Sequence, residues 1–272
     1  MTNTSTDPFA QIKAVQREAW ALFLPMEVHT TIPAARLVNF AGVARGEKVL
    51  DVACGTGVVA LTAARAGAKA AGLDLAPALV ERARQNARTA CVEVDFVEGD
   101  AEALPYPEAS FDVVMSQFGH IFAPRPVTVT AEMLRVLRPQ GRIVFASWDS
   151  ETFVGRFFGL VGRYAPPAPE GAPQPASPLL WGDPNAIRER LGSRVRDLVF
   201  ERELMAQPSL SPQHTRVLQE STIGPLAKLV ASMANDPQRL AMFRAEYEEL
   251  IGEYFDDNSV RQHFVMVRAT KA

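Results

Sequence analysis

A carboxylate followed by a glycine-rich turn is the feature of the chain that most directly indicates chemistry. Residues 48–57, KVLDVACGTG, contain an apolar run with Asp51 and then a turn that ends at Gly57. Glycine allows positive φ and a close approach of the backbone to a ligand. The amides of the turn and of a helix that begins near Val58 form an electropositive cradle. Because Asp51 directly precedes this cradle, we expect it to repel a pyrophosphate and to favour a ligand with ammonium and sulfonium groups.

The same glycines also fit a different ligand class. Gly55, Gly57 and Ala60 match the G-x-G-x-x-G/A fingerprint of dinucleotide-binding folds, and Asp74 follows at about the spacing of a ribose-binding acid. A further acid at a strand end, Asp100, and the lack of a later nicotinamide-binding half in the sequence favour S-adenosylmethionine over NAD(P). An NAD(P)-dependent oxidoreductase stays open as the alternative, because a glycine fingerprint alone is weak evidence.

The hydrophobic pattern around these residues predicts alternating strands and helices. Strands are expected at residues 48–52, 69–74, 92–98, 111–116 and 142–148, with helices at 58–66, 77–89 and 126–138. The strand at 111–116 is nearly all apolar, as expected when helices cover both faces of a sheet. The alternation predicts an α/β fold with a doubly wound, mostly parallel sheet.

The segments on either side of this core have different patterns. Helices are predicted at 9–24, 33–42, 151–164, 184–191, 212–220, 224–233 and 237–254, strands at 195–204 and 262–269, a frayed start at 1–8, and an extended proline-rich loop over the domain at 165–178. Capping residues followed by proline mark several of the helix starts. We therefore predict an N-terminal helical cap at 1–45, a core at 46–204 and 258–272, and a helical lid insertion for the substrate at 205–257.

Composition narrows the classes of partner. The chain has 272 residues, a net charge of -3 and scattered basic residues, which argues against a nucleic-acid surface. Cys54 and Cys91 are too few for a disulfide framework, and the histidine spacings indicate no metal site. With no signal peptide or membrane-length apolar run, we expect a cytoplasmic protein without integral membrane contact. The oligomeric state stays unknown.

Five ordered motifs resemble a known family. They are VLDVACGTG at 49–57, GLDL at 72–75, GDAEALPYP at 99–107, SFDVV at 110–114 and LRPQGR at 137–142. Over about residues 45–150 the chain resembles the class I S-adenosylmethionine-dependent methyltransferases, and within them it is similar to the ubiquinone/menaquinone-biosynthesis type. The resemblance implies a seven-stranded Rossmann-like methyltransferase fold. Ala53 departs from the family pattern, which usually has glycine there.

The resemblance also implies roles for individual residues. Asp51 and the backbone of the turn would hold the methionine portion, Asp74 the ribose hydroxyls and Asp100 the adenine amino group. Leu75 would pack on adenine, and Ala101 would supply a backbone amide. Ser116 and Gln117 would lie near the methionine and the sulfonium. The full predicted cofactor set is Asp51, Ala53, Cys54, Gly55, Thr56, Gly57, Asp74, Leu75, Asp100, Ala101, Ser116 and Gln117.

The methyl acceptor is less defined by the sequence. We expect a small, fairly apolar metabolite that accepts the methyl group at oxygen, carbon or nitrogen, within an aromatic wall of Trp20, Phe118, Trp148 and Trp181. His120 follows the fourth strand and is the candidate general base, since imidazole titrates near neutral pH. A protein that binds S-adenosylmethionine without catalysis is a further alternative.

Overall fold

A computed structural model describes residues 7–167 and 171–272 of the chain. The expected frayed start therefore lies almost wholly outside the described residues, and so does the middle of the proline-rich segment, at 168–170. The described part of that segment is irregular from 171 to 177, as predicted, and the amide of Ala176 donates to the carbonyl of Pro124 at 3.2 Å.

One sheet organises the molecule. Its strands are β1 (Lys48–Val52), β2 (Lys69–Asp74), β3 (Val94–Glu98), β4 (Phe111–Gln117), β5 (Leu137–Trp148), β6 (Val195–Pro208), β7 (Phe255–Asp256) and β8 (Ser259–Lys271). The strand order is β3-β2-β1-β4-β5-β8-β6, and β7 pairs with β8. Strands β1 to β5 are parallel, whereas β8 is antiparallel to both β5 and β6. The predicted α/β fold with a mostly parallel, doubly wound sheet is confirmed.

The helices follow the predicted order. They are α1 (Ala10–Ala19), α2 (Thr31–Ala41), α3 (Val58–Arg65), α4 (Pro77–Ala90), α5 (Pro126–Val136), α6 (Phe153–Tyr164), α7 (Pro184–Leu191), α8 (Pro212–Thr222), α9 (Gly224–Ser232) and α10 (Pro237–Glu253). The caps predicted from Ser211 and Asp236 form, because each side chain accepts from an amide of the first turn. The first helix ends earlier than predicted, and a 3-10 stretch from Trp20 to Thr30 replaces its last turn.

Helices cover both faces of the sheet. Helices α2, α3 and α4 pack on one face around residues such as Val49 and Met115. On the other face, α5, α7 and the segment around Trp181 pack around Leu50 and Phe145. The carboxyl ends of β1, β2 and β4 lie between these layers at one edge, which is where ligands bind in open α/β sheets.

A third apolar cluster forms a cap beside that edge. Residues of α6, α9 and α10 pack together there, with Phe243 and Tyr247 fully buried. Two boundaries differ from the predictions. Strand β6 continues to Pro208, so residues 205–208 are sheet rather than lid, and α6 packs with the cap helices although it was assigned to the core. Among the described residues, no helix combines the length and the apolar character needed to cross a membrane.

Candidate functional site

The turn after β1 is held by backbone hydrogen bonds and by unusual dihedral angles. The amide of Cys54 donates to Leu73 of β2 at 2.9 Å, and the amide of Gly57 donates to Cys54 at 2.9 Å. A Cβ on Gly57, at a φ of 83°, would lie 2.6 Å from the ring of Phe96, so only glycine fits. Ala53 has a φ of 54°. A left-handed conformation costs a non-glycine residue about 1–2 kcal/mol, which explains why glycine is usual at that position.

Asp51 is buried beside this turn with one oxygen unpaired. Its Oδ2 accepts from the amide of Ala60, at the start of α3, at 3.1 Å, whereas Oδ1 is buried and has no hydrogen-bond partner in the described part of the chain. Burial raises the pKa of Asp51 well above its ordinary value, and the nearby charge of Asp74 raises it further. A buried carboxylate oxygen without a donor is costly. An ammonium group bound at this point would supply the missing donor.

The carboxylate of Asp74 connects the glycine turn to the segment before α4 by hydrogen bonds. Its Oδ2 accepts from the amide of Gly55 at 2.8 Å, and its Oδ1 accepts from the amide of Ala76 at 2.9 Å. Burial raises the pKa of Asp74, while these two hydrogen bonds oppose the shift. The carboxylate therefore fixes the glycine turn against the start of α4. Its remaining lone pairs are free to accept from a ligand hydroxyl.

Asp100 takes part in an ion cluster that the sequence did not indicate. Lys13, on α1, lies 2.7 Å from Asp100, 2.7 Å from Asp7 and 2.6 Å from Glu102. The N-terminal helix is thus tied to the strand tip that carries Asp100. No spacing in the sequence links α1 to residues almost a hundred positions later, so only the fold reveals this contact.

These acids share one cavity with an apolar chamber. The empty space of this cavity is about 1600 Å³ when the solvent at its mouth is counted with it. Its polar side contains eight of the predicted cofactor residues besides Asp51, and they are Ala53, Cys54, Gly55, Thr56, Asp74, Leu75, Asp100 and Ala101. Its apolar side contains Trp20, Phe118 and Trp148, three of the four residues of the predicted aromatic wall. The rings of Phe118 and Trp148 are stacked, with centroids 3.8 Å apart.

Comparison with known proteins identifies the family. Residues 49–141 match the model of a methyltransferase domain. An uncharacterised protein of Mycobacterium tuberculosis is 34% identical over 236 residues, which are 86% of this chain and 85% of that protein. A demethylmenaquinone methyltransferase of Renibacterium salmoninarum is 37% identical over 117 residues, which are 43% of this chain and 48% of that protein. The chain belongs to the class I S-adenosylmethionine-dependent methyltransferases.

A solved structure agrees at the level of the fold. The crystal structure of a putative methyltransferase from Bacillus halodurans matches this methyltransferase with a TM-score of 0.57 and 21% identity, covering 88% of this chain and 98% of that one. The cofactor is S-adenosylmethionine, and the dinucleotide alternative is set aside. The unpaired oxygen of Asp51 fits this cofactor, since it can accept from an ammonium group and would face a pyrophosphate unfavourably.

Successive side chains of β4 point to opposite faces of the sheet, so Ser116 and Gln117, which were both predicted near the methionine, lie apart. Gln117 lines the cavity of the methyltransferase, and its Nε2 donates to the carbonyl of Thr30 at 2.9 Å while its Oε1 is buried and unpaired. Ser116 points to the opposite face of the strand, where its Oγ donates to the carbonyl of Val52 at 2.5 Å. The position of Ser116 contradicts its predicted place beside the methionine. Gly57 likewise supports the turn from beneath and does not line the cavity.

His120 lies in the core, which contradicts its prediction as a base. It is fully buried, does not line the cavity, and its Nδ1 lies 2.9 Å from the Oγ of Ser116. Burial, helped by the charge of Arg190, lowers the pKa of His120 to about 3. Trp181, expected in the aromatic wall, is also buried there, with its ring centroid 4.4 Å from that of His120. The apolar run that contains Trp181 therefore indicated core rather than lid.

The structure adds residues that the sequence reasoning missed. Helix α6 contributes Phe153, Val154, Phe157 and Phe158 to the cavity, and Phe23, Phe122 and Ile223 also line it. The sequence predicted a helix at 151–164, but a helical pattern does not distinguish a core face from a cavity face. Three glutamines, Gln207, Gln219 and Gln262, line the cavity from β6, α8 and β8. His29 is a histidine that does line the cavity, and burial lowers its pKa.

Proposed function

We propose that this methyltransferase transfers the methyl group of S-adenosylmethionine to a small, mostly apolar metabolite held in the aromatic chamber, at an oxygen, carbon or nitrogen atom. The observation that carries the proposal is the continuity of the cavity, in which buried carboxylates at strand tips open directly into the apolar chamber. Residues of the glycine turn and of the aromatic wall line this same cavity, so a cofactor and an acceptor bound in it would be neighbours.

The polar side offers a partner for each part of the cofactor. We assign Asp51 and the turn from Ala53 to Thr56 to the methionine portion, because the unpaired Oδ1 of Asp51 suits an ammonium group. Asp74 suits the two ribose hydroxyls, since a carboxylate can accept from both and such charge-assisted hydrogen bonds are strong. Leu75, Asp100 and Ala101 follow β2 and β3 and line the cavity, and we assign them to adenine.

The transfer needs alignment more than a catalytic side chain. The bound cofactor supplies an activated methyl group on a sulfonium. The chain holds the acceptor in line with it and excludes water, and such positioning can supply much of the acceleration. Trp148 and Phe118 border the junction of the two sides and are placed to orient a flat acceptor by stacking.

The cap is proposed to select the acceptor. Residues of the N-terminal segment 1–45 and of the helical insertion after β6 line the chamber together with α6. The net charge of -3 favours a small molecule over a nucleic acid. The chain spans about half of the demethylmenaquinone methyltransferase that it resembles. The substrate in that protein's name therefore suggests only that fused-ring compounds belong in a screen.

Two measurements test the proposed function. Calorimetry with S-adenosylhomocysteine and with NADH should give binding of the first only. A radiolabelled-methyl assay against phenols, quinone precursors and amines should give transfer to apolar ring compounds, and less transfer to charged amines. Binding of NADH alone would reject the cofactor assignment. Binding of S-adenosylhomocysteine with no transfer to any acceptor would favour a non-catalytic binding protein.

A further inference from the structure

A cluster of buried amide side chains closes the chamber at the junction of the sheet and the cap. The Oε1 of Gln207 accepts from the Nε2 of Gln219 at 2.9 Å and from the Nε2 of Gln262 at 2.6 Å. The three side chains are no more than 5% exposed, and all of them line the cavity. In turn, the Oε1 of Gln219 accepts from the hydroxyl of Tyr247. We call these four residues the carboxamide cluster.

The hydrogen bonds of the cluster run in one direction. Burial raises the pKa of Tyr247 far above its ordinary value, so its hydroxyl keeps the proton that it donates to the Oε1 of Gln219. With its oxygen facing Tyr247, Gln219 turns its nitrogen toward Gln207. The Nε2 atoms of Gln219 and Gln262 then both donate to the oxygen of Gln207. The Nε2 of Gln207 is left buried, with no hydrogen-bond partner among residues 7–167 and 171–272.

A buried N–H donor without an acceptor destabilises the folded protein unless a ligand supplies the acceptor. Leaving a buried polar group without a partner costs about 1–3 kcal/mol. Natural sites keep such groups where a substrate supplies the missing acceptor, and they then reject analogues that lack it. Gln207 lies in β6 beside the end of the antiparallel strand β8, on the side of the sheet away from Asp74 and Asp100. The Nε2 of Gln207 therefore lies on the side of the cavity that is proposed to hold the methyl acceptor.

The residues that line this part of the cavity indicate the charge of the ligand group that would accept from the Nε2 of Gln207. Among the described residues that α6, β6, α8 and β8 contribute to the cavity lining, none is charged, and most are apolar. A carboxylate or phosphate on the ligand would therefore enter without a counter-charge, which is costly in an apolar chamber. A neutral oxygen with free lone pairs, on an otherwise apolar ring, matches both the donor and its surroundings.

We propose that Gln207 is a specificity residue that donates a hydrogen bond to a carbonyl oxygen of the methyl acceptor, and that the acceptor is a neutral ring compound bearing that carbonyl. Gln219 and Gln262 position the amide of Gln207, and Tyr247 sets its orientation through Gln219. This inference rests on the proposed function, and it narrows the acceptor from an apolar metabolite to a ketone-like one.

Two ring compounds that differ only at the carbonyl test the inference. The probes are 6-hydroxy-1-tetralone and 5,6,7,8-tetrahydro-2-naphthol, and binding is measured by calorimetry with S-adenosylhomocysteine present and absent. Wild-type protein should bind the ketone about tenfold more tightly, the effect of about 1.4 kcal/mol from one hydrogen bond. In Gln207→Leu the preference should vanish, because the leucine side chain has no N–H to donate and brings no charge into the chamber.

Two further variants keep the test decisive. Gln213→Met changes an exposed glutamine of α8 and should retain the full preference. Gln207→Met removes the donor without a charge and should also abolish the preference, so a folding defect in one variant does not decide the result. Equal binding of both probes by wild-type protein, or an unchanged preference in either Gln207 variant, would overturn the inference. Failure of the proposed function is separate, because it would appear as absent S-adenosylhomocysteine binding or absent methyl transfer.

Discussion

The two sides of the cavity are built in different ways. The cofactor side comes from a short stretch of chain, since Asp51, Asp74 and Asp100 lie at or just after the ends of three strands that are adjacent in the sheet. The acceptor side is assembled from the N-terminal segment, α6, α8, β6 and β8, which are far apart in sequence. Carboxylates and backbone amides dominate the first side, and aromatic rings and carboxamides dominate the second.

This difference separates the part of the cavity that the fold itself provides from the part that is particular to this protein. Strand tips in a parallel sheet have fixed relative positions, so the same spacing of acids reproduces the same polar site in many chains. A cap made of remote segments has no such constraint. Its residues can change without disturbing the sheet, and that freedom allows one fold to serve many acceptors. Substitutions on the two sides should therefore have separable effects.

The largest effect is expected from Asp74→Ala. The variant loses the acceptor of the ribose hydroxyls and also the hydrogen bonds that hold Gly55 and Ala76. Two charge-assisted hydrogen bonds correspond to about 3 kcal/mol, so affinity for S-adenosylhomocysteine should fall at least about a hundredfold in calorimetry. Asp95→Ala, an exposed acid of β3, is the control. Unchanged affinity in the Asp74 variant would remove the cofactor assignment of the polar side.

Asp51→Asn should weaken cofactor binding and stabilise the empty protein. The lost charge should cost about tenfold in affinity for S-adenosylhomocysteine. Burial raises the pKa of Asp51, so the folded state binds its proton more tightly than the unfolded state does. Its contribution to stability is therefore present near the ordinary pKa of 3.8 and is lost as pH rises through the raised value.

Denaturation of the ligand-free proteins measures the second effect. The free energy of unfolding of Asp51→Asn, relative to wild type, should increase between about pH 4 and pH 8, in line with the linkage between proton binding and folding. Asp95→Asn should show no such trend. A stability difference that shrinks with rising pH would contradict the burial-driven shift of Asp51.

Phe158→Ala tests the acceptor side alone. Phe158 is half-buried on α6 and lines the chamber, so its removal leaves the sheet intact. Burying a phenylalanine side chain is worth about 1.5–3 kcal/mol, so KM for an apolar acceptor should rise at least about tenfold while affinity for S-adenosylhomocysteine is unchanged. Met242→Ala, on the exposed face of α10, serves as control. An equal loss for cofactor and acceptor would show that the two sides are not separable.

His120→Ala should have the smallest effect on catalysis. Removing this fully buried ring should lower the free energy of unfolding by about 2–4 kcal/mol, because it leaves a cavity against Trp181 and Phe145. The pH dependence of kcat/KM should keep its shape, since the imidazole stays neutral in the core. Loss of one limb of the pH profile would return His120 to the role of a base.

Some predictions were confirmed because local patterns were enough to decide them. The strands, the helix starts at Ser211-Pro212 and Asp236-Pro237, and the turn after Asp51 depend on alternation, capping and glycine, which act over a few residues. The same rules place acids at strand tips. The predicted acids therefore line the cavity, whereas Lys13, which reaches Asp100 from a helix far away in the chain, was not predicted.

The sequence by itself determined the class of fold, the cofactor and the acids near it, since these depend on short-range geometry that repeats along parallel strands. Only the tertiary structure decided which face each later side chain occupies. His120 and Trp181 turned into the core, while Phe158 and Gln207 turned toward the cavity. Neither result follows from residue type, because burial depends on contacts between segments that are distant in the chain. The proposed acceptor site is formed by such contacts.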